Sequence, residues 1–419
     1  KMLAYPKNII FDYKTYKLYN QFMNKINKDW KEVKLGDIVD ITMGQSPKSE
    51  FYNKRNEGMP FLQGSATFGF MHPYFETYSS DIKKIAINGS VLMSVRAPVG
   101  DLNIANADVC IGRGLCSING KSNIINRYIF YLLSYYKPKL LNMQKGTTFG
   151  AITKDDILNF KVLIAEDIEE QKRIASALSK IDEYLENTIK LIEEKERFKR
   201  GIAKKLLTCK EGENIPEARF RGFEDEWEIV KLGDMFDNFK EKNNEDKIIL
   251  ASTIDKGVIP NSLTERKIIR KKESLSNYKL VKKGCFVISL MSFQSGFEYS
   301  DYEGIISPAY TVLKPKIEMA HYFYKYYFKS FKFIKDLRPY AEGIRHGKQI
   351  KFKACKDILV PYPSIEEQEK IGGYLSLLDE EIDNLKKQKE LIKEMKRGAM
   401  QKLLSGEVRL SKNAFNENI

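Results

Sequence analysis

The chain has 419 residues and a formal charge of +14, with 42% hydrophobic residues, and its pI is near 9.2. That length suffices for two domains with connecting elements, and the apolar content excludes a disordered chain. The positive excess points to an anionic partner, nucleic acid foremost, because fixed cations displace the counterions of a polyphosphate; a basic surface that only keeps the chain soluble is the competing explanation.

Residues 1–29 begin Lys1-Met2-Leu3-Ala4-Tyr5-Pro6, without the apolar core of a signal peptide. No apolar run reaches about 18 residues, so a cytoplasmic chain is expected. Residues 30–167 read as a mixed α/β globule opened by Trp30-Lys-Glu-Val-Lys-Leu-Gly-Asp37. Alternation predicts a strand over Ser90–Val95, Asn88-Gly89 and Asn119-Gly120 predict turns, and Tyr128–Tyr136 predicts an aromatic-rich helix. Gly114–Ser122 comes near a phosphate-binding loop, but Leu115 stands where glycine is needed, so a surface turn is expected. Several loops mix glycine with donors suited to phosphates and base edges. They supply Gln45, Ser46 and Lys48, then Gln63 and Ser65, then Arg96, Arg113, and finally Lys145, Thr147 and Thr148 as candidate DNA contacts. Arg96 and Arg113 could equally be structural arginines tied to carboxylates.

From Ile168 to Leu207 no proline interrupts the chain, and Ile174, Leu178, Ile181, Leu185, Thr188 and Ile192 recur at spacings of four and three. This stripe predicts a long coiled-coil helix. A linker (208–226) leads to a second mixed α/β globule, 227–364, with a strand expected over Cys285–Leu290, a turn at Lys283-Gly284 and an aromatic helix over Tyr322–Phe331. In both globules the aromatic spacing fits base stacking or a packed core, and the core is the expectation. Candidate DNA contacts here are Ser292, Gln294, Ser295, Arg338, Arg345, His346 and Lys348. A second long helix is expected over 365–405, with the stripe Ile371, Leu375, Leu378, Ile382, Leu385, before a tail over 406–419.

The chain is written twice. Trp30-Lys-Glu-Val-Lys-Leu-Gly-Asp37 returns as Trp227-Glu-Ile-Val-Lys-Leu-Gly-Asp234, and Ile168-Glu-Glu-Gln171 as Ile365-Glu-Glu-Gln368. Lys199-Arg-Gly201 returns as Lys396-Arg-Gly398 and Lys205-Leu-Leu207 as Lys402-Leu-Leu404, every pair 197 residues apart. So long a period marks a duplicated domain-sized unit rather than a solenoid repeat of about 20–50 residues. The variable stretches share almost nothing between these borders. A stripe so narrow needs a partner, and the other helix of the same chain is the economical one. An antiparallel pair would set the two domains at opposite ends about a pseudo-two-fold axis; packing of each helix on its own domain is the alternative. Thr188, Lys195, Lys199, Lys389 and Lys396 interrupt the stripes, which predicts a weaker or bent seam toward the C-terminal halves.

Catalytic patterns are missing. His72, His321 and His346 are too dispersed for a metal cluster, and the five cysteines (Cys110, Cys116, Cys209, Cys285, Cys355) form no CxxC pair. There is no Asn-Pro-Pro-Tyr or Asp-Pro-Pro-Tyr of an adenine methyltransferase and no Phe-x-Gly-x-Gly for its methyl donor; Glu193-Glu-Lys195, like the tail of a nuclease motif, lies on the helix.

A basic chain without catalytic motifs, duplicated as variable domain and long helix, resembles the specificity subunit of type I restriction–modification systems. The residues that carry the likeness are Val33–Asp37 and Val230–Asp234, Ile168–Gln171 and Pro363–Gln368, and the closing Lys205-Leu-Leu and Lys402-Leu-Leu. Ser94–Gly100 and Ile305–Tyr310 add to it. The resemblance implies a non-catalytic protein with two α/β target recognition domains, each reading one half of a split DNA target. It also implies that the helices, paired through Ile174, Leu178, Ile181, Leu185, Ile371, Leu375, Leu378 and Ile382, fix the gap and dock two modification subunits. Those subunits would hold S-adenosylmethionine and methylate adenine, and restriction subunits could join them; no cofactor is expected in this chain. Two other readings stand beside it: the recognition fragment of a self-sufficient methyltransferase–nuclease, and a basic coiled-coil scaffold for proteins alone. The absent methyltransferase motifs and the second helix favour the specificity subunit over the fragment.

Overall fold

A computed structural model describes residues 30–142, 151–264, 272–288, 296–342 and 349–410. The chain divides into two compact units, Lys1–Ile189 with Gln388–Ile419, and Lys190–Lys387. Each holds one variable domain, half of each long helix, and a hydrophobic core to which all three contribute.

In the first unit, strand Trp30–Lys34 pairs antiparallel with Lys161–Ala165, Trp30 opposite Ala165, so the start and end of the domain are tied together. Leu35 follows and is fully buried. A Cβ on Gly36 would lie 3.1 Å from the Leu158 carbonyl oxygen, so a side chain there would crowd the chain that leads to the closing strand. An antiparallel four-stranded sheet runs in the order Val39–Met43, Leu115–Gly120, Val91–Ser94, Leu102–Ile104. A five-stranded sheet beside it includes one parallel pair, Met59–Leu62 with Val109–Ile111. Helix Asn126–Asn142 buries Tyr128, Ile129, Tyr131, Leu132 and Leu133 in the core.

The second unit repeats the frame. Strand Glu228–Lys231 pairs with Leu359–Tyr362, Leu232 is buried, and the Gly233 N–H donates to the Lys356 carbonyl at 2.7 Å. Its four-stranded sheet runs Phe236–Phe239, Thr311–Pro315, Phe286–Ile288, Phe297–Tyr299, the order seen in the first unit. Its core is aromatic, with Phe236, Phe286, Phe297, Phe323, Tyr324, Phe328 and Phe333 all below 2% exposed.

Two sequence expectations change. Leu115–Gly120 is a central strand, paired on both sides, rather than a surface turn. The helix expected over Tyr322–Phe331 is two helices, His321–Tyr327 and Phe331–Leu337, because the Ser330 hydroxyl accepts the Phe333 N–H at 3.2 Å and starts a new one. The aromatic segments are core, as expected: Tyr128, Tyr131, Tyr324 and Tyr327 are buried, while Tyr322 and Phe331 are exposed.

The two long helices span Ile168–Leu207 and Ile365–Leu404, 40 residues each, or about 60 Å at 1.5 Å per residue. Within the first unit, Ile174 and Leu178 share a core with Leu403 and Leu404. Within the second, Ile371, Leu375 and Leu378 share one with Leu206 and Leu207. The start of one helix thus packs with the end of the other, an antiparallel pairing that ion pairs repeat: Asp182 with Lys396 at 2.6 Å in the first unit, and Lys195 with Glu381 at 2.6 Å and Glu196 with Lys386 at 2.7 Å in the second. Ile181 and Leu385 are half-buried and Ile382 is buried. Lys195, Lys199 and Lys396, expected to weaken the seam, instead meet acids of the facing helix, whereas Lys389 pairs with Glu390 of its own helix; Thr188 is buried with its hydroxyl donating to the Tyr184 carbonyl. Among the described residues no helix is long and apolar enough to cross a membrane.

Candidate nucleic-acid interface

Four loops that sequence singled out separately in the first domain come together. The Gln45 N–H donates to the Ile111 carbonyl, and the Ser46 hydroxyl donates to Gln63 Oε1 at 3.0 Å while accepting the Arg113 N–H at 3.2 Å. Glycine makes this crossing possible: a Cβ on Gly44 would fall 2.1 Å from the Gly112 carbonyl oxygen, and one on Gly114 2.5 Å from that of Gln63. The Val95 N–H donates to the Gly114 carbonyl, which brings Arg96 alongside. Gln45, Gln63, Arg96 and Arg113 are exposed. Neither arginine has a carboxylate partner among the described residues, so the structural-arginine alternative finds no support there. The result is a small exposed surface of two guanidiniums and two amides, a donor set that matches phosphates and base edges.

Two candidates sit apart from that character. The Ser65 hydroxyl donates to Asp101 Oδ2 at 3.1 Å, and Asp101 also pairs with Lys137 at 2.9 Å, so Ser65 belongs to a structural network. Lys48 lies 3.6 Å from Glu50 with both side chains largely exposed, a pair that water screens. Lys145, Thr147 and Thr148 lie outside the described residues. In the second domain Arg338 is exposed on the turn Arg338–Tyr340, whereas Ser292, Gln294, Ser295, Arg345, His346 and Lys348 lie outside the described residues.

Sequence reasoning missed what the repeated motifs do. In the repeated Ile-Glu-Glu-Gln, the second glutamate and the glutamine point inward. Gln171 donates to the Ala165 carbonyl at 2.9 Å and accepts the Ile125 N–H at 3.3 Å. Gln368 does the same toward Pro363, at 2.7 Å, and Ala320, at 2.9 Å. Each glutamine therefore stitches its helix to the strand and helix of its own domain. Glu367, 1% exposed, accepts the Trp227 indole N–H at 2.9 Å and two N–H groups of Arg219, both at 2.8 Å. Glu170, also 1% exposed, accepts from Trp30 at 3.4 Å and from Arg409 at 2.9 and 2.5 Å. Arg219 follows the first long helix and Arg409 the second, so each glutamate is neutralised by the segment that leaves the other helix. The repetition of Trp and Glu was visible in the sequence; the arginines, at unlike offsets, were not.

Among the described residues no group of His, Cys, Asp and Glu could hold a metal ion. Cys110, Cys116, Cys285 and Cys355 are buried, and burial pushes the Cys116 and Cys355 thiols up to about 12, far from the reactive thiolate. Glu193 and Glu194 are exposed on the helix surface.

A twice-built domain with a polar, arginine-bearing loop surface, held on paired helices, is the architecture of a DNA specificity protein. The model of the type I restriction modification DNA specificity domain matches residues 27–194 and again 224–394, and the chain belongs to this family. It is similar to the putative type I restriction enzyme MjaX specificity subunit of Methanocaldococcus jannaschii, 43% identical over 204 residues, which cover 48% of this chain and 47% of that one. It is also similar to the MjaVIII specificity subunit of the same organism, 24% identical over 413 residues, 93% of this chain and 96% of that one. The chain thus spans about half of the first relative and nearly all of the second. Among solved structures, the type I restriction–modification S subunit from M. genitalium shares the fold with a TM-score of 0.58, at 16% identity over 90% of this chain and 96% of that one.

Proposed function

We propose that this chain is the DNA-reading subunit of a cytoplasmic type I restriction–modification assembly, with no chemistry of its own. Each domain reads one half of a bipartite target. The paired helices set the distance between the halves and dock two modification subunits, which carry S-adenosylmethionine and methylate adenine. The observation that carries the reading is the occurrence of the family's DNA specificity domain twice in one chain. The loop surface around Gln45, Gln63, Arg96 and Arg113 supports it for the first half-site.

Docking on the helices is supported by apolar side chains that the helix pair leaves in water. In the first unit these are Tyr184, Leu391 and Met395; in the second, Leu191, Phe198 and Leu377, each at least 40% exposed. Such exposure on an element already paired marks a surface that expects a further partner.

Salt-titrated DNA binding with the methyltransferase partner present tests the reading. Affinity should fall steeply as salt rises and should depend on base sequence; an absence of both overturns it. Mapping methylated adenines in cells that carry the pair gives the two half-sites and their gap. Arg96→Ala or Arg113→Ala should then weaken binding by about 1–3 kcal/mol for a base-edge contact, and for one half-site only. Equal losses at both half-sites would contradict two independent readers.

A further inference from the structure

One cluster in each unit is not absorbed by the anchors already described. In the first, Tyr131, on the helix Asn126–Asn142 of the variable domain, donates its hydroxyl hydrogen to Asp182 Oδ2 at 2.8 Å. Asp182 is 2% exposed, and its other oxygen lies 2.6 Å from Lys396 Nζ as an ion pair without hydrogen-bond geometry, so the tyrosine supplies the directional contact. That ammonium also lies 5.7 Å from the centre of the Tyr131 ring. In the second unit, Tyr326 donates to Asp379 Oδ2 at 2.7 Å, and Lys199 pairs with Asp379 while lying 4.9 Å from the Tyr326 ring.

The two sets are copies of one device. Asp182 and Asp379 stand 197 residues apart, as do Lys199 and Lys396, which is the shift of the duplication; the tyrosines stand 195 apart, inside domains whose borders keep the shift while their interiors have diverged. Each set joins three pieces of chain: a variable domain, the helix that follows it, and the far end of the other helix. Between their borders the two domains share almost no sequence, yet both present a tyrosine at this point.

Apolar contacts between a domain and a helix tolerate sliding, whereas a charge-assisted hydrogen bond, held from the other side by an ammonium, defines both distance and angle. The aspartate can satisfy the tyrosine and the lysine together only when the domain sits in one pose on the helix pair. Between the glutamines at the helix starts and the clamps the seating is apolar, through Leu178 and Leu375. Gln171 and Gln368 hold each domain at the start of its helix, and the clamps, 11 residues further along at Asp182 and Asp379, add the second directional point that fixes the domain's angle.

We propose that Tyr131–Asp182–Lys396 and Tyr326–Asp379–Lys199 are positioning clamps that fix the pose of each recognition domain on the helices, and so determine how strictly the protein demands one gap between half-sites. This rests on the reading of two half-sites given above. The clamps touch no base; they act through the domains they hold.

The test uses the chain assembled with its methyltransferase partner, once the target is mapped. Methyl transfer is compared on duplexes with the mapped gap and with one base pair added or removed. The wild type should discriminate strongly. Tyr131→Phe with Tyr326→Phe, which removes the two hydroxyls and keeps both rings, should lower that discrimination at least tenfold. Base preference within each half-site should stay within twofold. Lys396→Arg, which keeps the charge, should retain the discrimination. A role in stability alone would lower the melting temperature and leave the gap ratio unchanged, and a double variant whose gap ratio stays within twofold of wild type overturns the clamps. A wild type without base preference would overturn the DNA-reading function and the clamps together, whereas a discriminating wild type with equally discriminating variants overturns the clamps alone.

Discussion

Replacing Glu367 with alanine lowers the unfolding free energy of the second unit by about 3–5 kcal/mol, the cost of breaking a buried ion pair by removing one partner. The carboxylate is 1% exposed and receives three hydrogen bonds, two from Arg219 and one from the Trp227 indole. Its loss strands a guanidinium whose side chain is 14% exposed, together with a buried N–H. The matching change, Glu170→Ala, should cost less. Arg409 is 34% exposed, so water takes over part of the lost pairing, and the Trp30 hydrogen bond is longer at 3.4 Å. The chain supplies its own probes, because it has two tryptophans and each sits on one of these glutamates. Urea unfolding followed by fluorescence in a Trp30→Phe background reports the second unit, and in a Trp227→Phe background the first. Equal losses for the two glutamates, or a loss below about 1 kcal/mol at Glu367, would contradict the anchor assignment.

The second large effect is expected at the helix seam. Leu178 and Leu375 are fully buried, each where its domain, its own helix and the end of the other helix meet. Truncating such a leucine costs about 2–5 kcal/mol, and asparagine adds an amide without partners at about 1–3 kcal/mol. Leu178→Asn with Leu375→Asn should unseat both domains and abolish assembly with the modification subunits, as read by co-purification and sedimentation. Retained assembly in the double variant would count against this seam as the foundation of the complex.

What could be read from the sequence was what repeats or alternates. The 197-residue shift, the Ile174–Ile192 and Ile371–Leu385 stripes and the strand at Val91–Ser94 are properties of nearby residues, and local patterns carry them. What escaped depends on partners far away in the chain. Lys199 and Lys396 looked like defects in an apolar stripe because their acids lie on the other helix. Gly44, Gln63 and Arg113 gave three weak loop signals, and only tertiary contact merges them into one surface. Leu115–Gly120 reads as a turn from Gly114 and Gly120, although Cys116 and Ile118 alternating with Ser117 and Asn119 offer a strand. The break before Phe331 was legible in principle, since Ser330 is a favourable helix start.

The division of the chain into Lys190–Lys387 on one hand, and Lys1–Ile189 with Gln388–Ile419 on the other, has a consequence for its birth at the ribosome. The second unit is one uninterrupted stretch and can close as soon as it emerges. The first cannot: Glu170 waits for Arg409, and Leu178 for Leu403 and Leu404. At the usual pace of about 5–20 residues per second the half-made domain stands open for roughly 10–45 s. The domain synthesised first is thus the one completed last, and during that interval its helix face lacks the apolar cover of Leu403 and Leu404.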